Sequence, residues 1–219
     1  MNGWGEFVAA IVVFFTSHRI PVVPRLKAPL VKALGAGGFT LAYSAMSVAL
    51  LTWVIIAAGR APYVVLWNQY AWMNHVTLTL MAIATLIFVL ALGRPNPLSF
   101  GGLHNDRFDP AQPGIVGWMH HPLLVVLGLW SLAHLIPNGD LAHVIMFGQF
   151  AAFSVFGMRI INHRKRRMLG ESEWARLANT AAGFHPTRNG IIRCLIAILL
   201  YLSLLYLHPI VIGVDPLAL

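Results

Sequence analysis

Ten histidines, in a chain with few other polar side chains, are the residues most able to do chemistry. An ionisable side chain is costly to bury unpaired in an apolar environment, so its presence there is typical of a functional site. Neutral imidazole is a common ligand of transition metals and the usual axial ligand of haem iron. The pattern predicts a metal or haem site; the alternative is that each histidine lies at the headgroup level or caps a helix. Six histidines lie inside apolar stretches or at their ends: His18, His75, His121, His134, His143 and His208.

The composition places these histidines in a membrane protein. Hydrophobic residues make up 58% of the chain and charged residues only 10%, against about 45–50% and about 25% in soluble domains. The 15 basic residues outnumber the 7 acidic ones, but they lie between the apolar stretches, which indicates membrane topology and excludes a nucleic-acid partner. Cys194 is the only cysteine, so neither an intramolecular disulfide nor a cysteine-cluster metal site is possible.

The apolar stretches predict an all-α, polytopic membrane helical bundle with about six transmembrane helices. No Pro/Ser-rich or charge-rich stretch is long enough to be a linker, so we expect a single domain over residues 1–219. Basic residues are concentrated in the first, third and fifth connections, which the positive-inside rule assigns to the cytoplasm, with both termini outside. The predicted spans are 4–22, 36–58, 70–92, 121–137, 140–162 and 190–212.

Two connections have their own patterns. The segment GRPNPLSFGGLHNDRFDPAQPG is rich in Pro and Gly, which predicts a long irregular connection that covers the cytoplasmic mouth of the bundle. The later HRKRR is followed by a segment in which Trp174, Leu177 and Ala178 share one helical face. That arrangement is typical of an interfacial amphipathic helix beside anionic lipid.

The predicted topology limits which histidines can share a site. His18 and His121 lie toward the cytoplasmic side, whereas His75, His134 and His208 lie toward the outer side. The step from His121 to His134 rotates a helix by about 220°, so these two cannot serve one site from one face. Topology alone pairs His18 with His121, or His75 with His134.

Longer motifs carry a resemblance that covers nearly the whole chain. They are WMHHPLLVVLGLWSLAHLIPNGDLAHVIMFGQFAAF, SHR with APYVVLWN, RKRRMLGESEW and LHPIVIGV. With these motifs the chain resembles the NnrU family of bacterial membrane proteins, which is associated with denitrification through nitrite and nitric oxide reductase. That family is in turn similar to 15-cis-zeta-carotene isomerase, a haem b enzyme that isomerises a double bond without net oxidation.

The resemblance implies haem b as cofactor, the lipid bilayer as environment and the bacterial cytoplasmic membrane as location. It implies that His18 and His134 are the haem ligands, and His121 and His75 remain as further candidates from the topology. Two residues depart from the isomerase pattern. Ser131 replaces a cysteine that serves the isomerase as an alternative ligand, and His120 replaces an arginine before the His-Pro pair.

The resemblance leaves the activity open. One reading is a haem-dependent isomerase that acts on an apolar polyene. A second is a non-catalytic membrane component that supports a respiratory reductase in denitrification. A third, an isoprenylcysteine-methyltransferase-like enzyme, expects Tyr and Gly after the His-Pro pair, where this chain has Leu124 and Val126.

Overall fold

The computed structural model describes residues 3–21, 23–183 and 186–218, and the regular elements within these ranges are helices. Four of them, with 37, 21, 29 and 24 residues, are long and apolar enough to cross a membrane: α2, α3, α5 and α7. The prediction of an all-α membrane protein is confirmed at this level. The α-helices are α1 (Gly3–Ser17), α2 (Pro24–Arg60), α3 (Ala71–Ala91), α4 (Pro122–Leu135), α5 (Leu141–Leu169), α6 (Glu171–Ala178) and α7 (Arg188–Val211).

Because two of the apolar helices are short, the number of membrane-spanning helices stays a prediction. Helices α1 and α4 have 15 and 14 residues, fewer than the roughly 20 that cross the hydrocarbon core without tilt or flanking residues. Helix α1 ends before His18, although its span was predicted to continue to residue 22. Helix α2 begins earlier than predicted and is interrupted at Gly35, where φ is 71° and ψ is 165°. Glycine adopts this left-handed φ at little cost, so a helical break there is local in origin.

The chain divides into two compact units. The first contains residues up to Trp67 together with Gly139–Met146. In it, α1 runs antiparallel to α2: the Glu6 carboxylate accepts hydrogen bonds from Trp53 Nε1 and from the Arg60 guanidinium, both at 3.4 Å. A Cβ at Gly3 would lie 2.2 Å from the Arg60 carbonyl oxygen, so glycine permits this close approach.

The second unit contains Asn68–Asn138 and the chain from Phe147 onward. Helix α3 packs between α4 and α7 and is bound to both by side-chain hydrogen bonds to backbone carbonyls. Thr77 Oγ1 donates to the Ala133 carbonyl at 2.7 Å, and the Tyr201 hydroxyl donates to the Leu78 carbonyl at 2.9 Å. Such bonds between helices are worth about 1 kcal/mol each in a membrane.

The two long connections of the second unit pack on each other. Leu98 and Val116 from the α3–α4 connection and Leu177 from α6 form a buried apolar cluster. The Arg166 guanidinium lies 4.0 Å above the ring of Trp174, which borders the same cluster. The α3–α4 connection is mostly irregular, as predicted, but it includes two short 3-10 helices, Asn105–Arg107 and Gly114–Gly117.

The first unit is closed by a short pairing of two extended segments. Leu66 N–H donates to the Gly139 carbonyl at 2.7 Å, and Leu141 N–H donates to the Val64 carbonyl at 2.9 Å. A Cβ at Gly139 would lie 2.1 Å from the Trp67 carbonyl oxygen and 2.6 Å from its ring. No side chain larger than hydrogen fits this position without movement of the backbone.

We expect Gly139→Ala to lower the free energy of unfolding by about 1–3 kcal/mol, the usual cost of overpacking. The control is Gly148→Ala, because an added Cβ on that helical glycine meets nothing within 4 Å. Thermal unfolding of the protein in mild detergent measures both. Equal melting temperatures for the two variants would contradict the close approach at Gly139.

Candidate metal centre

His134 lies in the last turn of α4, with its imidazole held in one orientation. Its Nδ1 is 2.8 Å from the Trp130 carbonyl oxygen, one helical turn earlier. Since a carbonyl can only accept, Nδ1 carries the proton and Nε2 keeps a free lone pair. The ring packs between aromatic side chains, with centroid distances of 5.2 Å to Trp130 and 5.3 Å to Phe147. The helix therefore presents the tautomer and orientation of a metal ligand.

A cavity of about 140 Å³ adjoins His134 within the second unit. Its walls come from α3, α4, α7 and the segment that follows α7. Most polar groups in the wall already have partners: the Asn74 amide donates to the Ala218 carbonyl at 2.9 Å and accepts from Gln69 at 2.6 Å. The hydroxyls of Thr77 and Tyr201 donate to backbone carbonyls. These hydrogen bonds stabilise the wall and engage its hydroxyl donors within the protein.

His208 also lines this cavity and repeats the arrangement of His134. Its Nδ1 donates to the Val214 carbonyl oxygen at 2.6 Å, which again leaves Nε2 unprotonated. The ring centroids of His134 and His208 are 6.4 Å apart, and the ring planes differ by 30°. No hydrogen bond involves either Nε2 in the part of the chain that the structure describes. Both histidines that line the cavity therefore have an unprotonated Nε2.

His18 follows α1 in the first unit and is partly buried. Its Nδ1 donates to the Phe14 carbonyl oxygen at 2.7 Å, the same bond to the preceding turn that orients His134. The ring lies 4.1 Å from the Phe14 centroid and 5.9 Å from that of Tyr43. His18 and His134 belong to different units, and each is arranged locally as a ligand would be; their pairing stays a prediction.

The other two predicted residues have different surroundings. His121 is buried and both ring nitrogens are engaged, Nδ1 with Ser99 Oγ at 2.9 Å and Nε2 with Asn162 Oδ1 at 3.0 Å. It therefore joins the α3–α4 connection to α5. His75 is exposed on α3. In this structure neither histidine has a buried ring nitrogen that could bind a metal without losing a hydrogen bond.

The described residues contain no group of three or more His, Cys, Asp and Glu side chains that could hold a metal ion. Ser131, at the position of the isomerase's cysteine, donates its hydroxyl to the Leu127 carbonyl at 2.6 Å within its own helix. It is not an available ligand.

The effect of pH on stability tests whether His121 joins the α3–α4 connection to α5. It precedes α4, outside the spanning helices, and burial lowers the pKa of its imidazole, while the hydrogen bond with Asn162 opposes the shift. Below about pH 6.5 the unfolded chain takes up a proton that the folded state resists, so stability is present above that pH and is lost as pH falls.

We expect His121→Leu to lower the free energy of unfolding at pH 8 by about 1–3 kcal/mol, because Ser99 and Asn162 lose their shared partner. In His121→Gln the free energy of unfolding should fall less between pH 7 and pH 5 than in the wild type. The fall that remains should come from groups such as His120, whose pKa is also lowered by burial. Melting curves at several pH values measure both, with exposed His163→Gln as control. An unchanged pH profile in His121→Gln would rule out the proposed titration.

Comparison with known proteins agrees with the sequence motifs. The family model described as NnrU protein matches residues 6–216, which is nearly the whole chain. No curated protein and no solved structure matches the chain significantly. The chain therefore belongs to the NnrU family.

Proposed function

We propose that this NnrU-family membrane protein binds haem b and that His134 would hold it through Nε2. The observation that carries the proposal is the state of the His134 ring: half-buried among aromatic side chains, bonded through Nδ1 to the Trp130 carbonyl, and without a hydrogen bond at Nε2 in the described part of the chain, beside a cavity. Donation of Nδ1–H to a carbonyl raises the basicity of the ligating nitrogen and sets its direction.

The donor set favours haem over a free metal ion held by protein alone. A stable ion site usually has three or four protein ligands, and the described residues contain no such group. Haem brings four nitrogens of its own and takes only axial ligands from the protein. His18, which the resemblance implies as the other ligand, lies in the other unit, where its Nδ1 donates to the Phe14 carbonyl.

The activity we propose is cis–trans isomerisation of an apolar polyene. Bound haem would supply Lewis-acid or one-electron chemistry. The chain's own contribution is to orient the ligating imidazole and to exclude water from its surroundings, which the apolar side chains Leu78, Met81 and Leu204 of the cavity wall favour. The described residues contain no buried pair of carboxylates for acid–base hydrolysis, since Asp140 alone among the acidic residues is buried.

The protein purified in mild detergent and supplied with haem should give a b-type reduced-minus-oxidised spectrum. His134→Ala should lose it, because the alanine side chain has no atom that can bind the iron. His163→Ala, an exposed histidine of α5, is the control and should keep the full spectrum.

A well-folded wild type without a haem spectrum would disprove the haem proposal and favour a non-catalytic role beside a respiratory reductase. If haem binds, the next assay is conversion of a cis-carotene precursor by the reduced protein, followed by chromatography. Haem binding without conversion, with a reductase copurifying, would disprove the isomerase part alone.

A further inference from the structure

We propose that Arg94 and Arg193 bind the headgroup phosphate of an anionic phospholipid at the C-terminal end of α3. Arg94 lies in the α3–α4 connection, just after α3, and Arg193 lies in the second turn of α7. Both belong to the second unit, and neither lines the cavity beside His134. The site therefore does not depend on the proposed haem chemistry.

The Arg193 side chain reaches the end of α3. Its Nη1 donates to the Val89 and Leu92 carbonyl oxygens at 2.6 and 2.8 Å, and its Nε donates to Asn189 Oδ1 at 3.1 Å. Basic side chains often bind the last carbonyls of a helix in this way. These bonds fix the guanidinium against the backbone two residues before Arg94. They leave Nη2 without a hydrogen bond to any described residue.

The Arg94 side chain brings a second positive charge to the same helix end. It is half-buried, and its Nη2 lies 3.8 Å from the position that a Cβ on Gly114 would take. A guanidinium has five N–H donors, yet within the described ranges this one makes no hydrogen bond and no ion pair. The positive charges of Arg94 and Arg193 repel each other. The structure thus holds two cations together with donors to spare.

The charge at this helix end is not balanced by the part of the protein that the structure describes. No carboxylate there lies within 4.0 Å of either guanidinium. The C-terminus of a helix supplies only about half a negative elementary charge, against one full positive charge from each arginine. A phosphodiester carries one negative charge, and its oxygens accept charge-assisted hydrogen bonds from guanidinium groups. Such an anion satisfies both the excess charge and the unused donors.

The surface beside the two arginines favours a lipid as the source of the phosphate. Only 6% of the most apolar stretch of α7 is buried, so most of this stretch faces lipid. Large apolar side chains are exposed next to Arg193, namely Leu92 after α3 and Ile192, Leu195 and Ile196 of α7. They offer acyl chains a surface that a soluble phosphate would not use. The sequence also predicts that the α3–α4 connection faces the cytoplasm, where anionic lipids make the membrane surface negative.

The test titrates the full-length protein in mild detergent with phosphatidylglycerol and, separately, with phosphatidylcholine of the same acyl chains. Native mass spectrometry measures the bound lipid, and we expect the wild type to prefer phosphatidylglycerol. Arg94→Gln and Arg193→Gln should each weaken its binding about fivefold or more, the factor that one basic residue contributes near anionic lipid. Arg107→Gln is the control, because Arg107 is exposed in the same connection, and it should bind as the wild type does.

Melting temperatures separate lipid binding from folding. Arg193→Gln loses the bonds to the α3 carbonyls and should melt below the wild type even without lipid. Arg94→Gln removes no hydrogen bond to a described residue, so it should melt like the wild type in detergent alone. Added phosphatidylglycerol should raise the melting temperature of the wild type more than that of Arg94→Gln, because a ligand stabilises the folded state that binds it.

Three results would overturn the proposal. Equal binding of the two lipids by the wild type would leave Arg193 only as a cap of α3. Equal losses of binding in Arg94→Gln and Arg107→Gln would show a general surface potential and no site. Inorganic phosphate that stabilises the wild type as much as phosphatidylglycerol does, and does so through Arg94, would show a site for free anions instead of lipid. None of these results changes the haem spectrum, which tests the proposed function separately.

Discussion

The hydrogen bond from a histidine Nδ1 to a backbone carbonyl is the interaction on which the candidate centre depends. Imidazole is a ligand only when one nitrogen has a lone pair and the ring is held still, and this single bond achieves both. His18 and His134 obtain it from the carbonyl four residues earlier. His208 obtains it from Val214, six residues later, after the helix has ended. Three histidines with different places in the chain thereby have the same tautomer.

The surrounding helices obey the other constraint of a membrane protein, that buried polar groups must find partners inside the protein. Thr77 and Tyr201 donate to carbonyls of neighbouring helices. Arg193 of α7 donates to the Val89 and Leu92 carbonyls at the end of α3, at 2.6 and 2.8 Å. These bonds hold α3, α4 and α7 together, and those of Thr77 and Tyr201 also engage donors that line the cavity. The stability of the second unit and the chemistry of its cavity therefore have the same origin.

Composition and hydropathy were enough to predict the helical membrane class and the approximate position of the long helices, because apolar length is a property of each segment alone. The NnrU motifs could also be recognised in the sequence, and the match to the family model confirms the family. The partners of the histidines were not predictable in this way. His121 begins α4 as predicted, but its bonds to Ser99 and Asn162 join residues far apart in sequence. The hydrogen bond from His208 to the Val214 carbonyl was not predicted, because no periodicity reports a carbonyl contributed by a turn.

The turn after α7 shows why the state of the His208 ring is a property of the tertiary structure. Pro209 lies in the last turn of α7, and Gly213 then adopts the left-handed φ that reverses the chain. Without that reversal the His208 ring would lack the Val214 carbonyl, and either nitrogen could carry the proton. In sequence the LHPIVIGV motif resembles an ordinary helix end. In the structure its glycine permits the turn that sets the tautomer of a histidine five residues earlier, which a helix end alone would leave undefined.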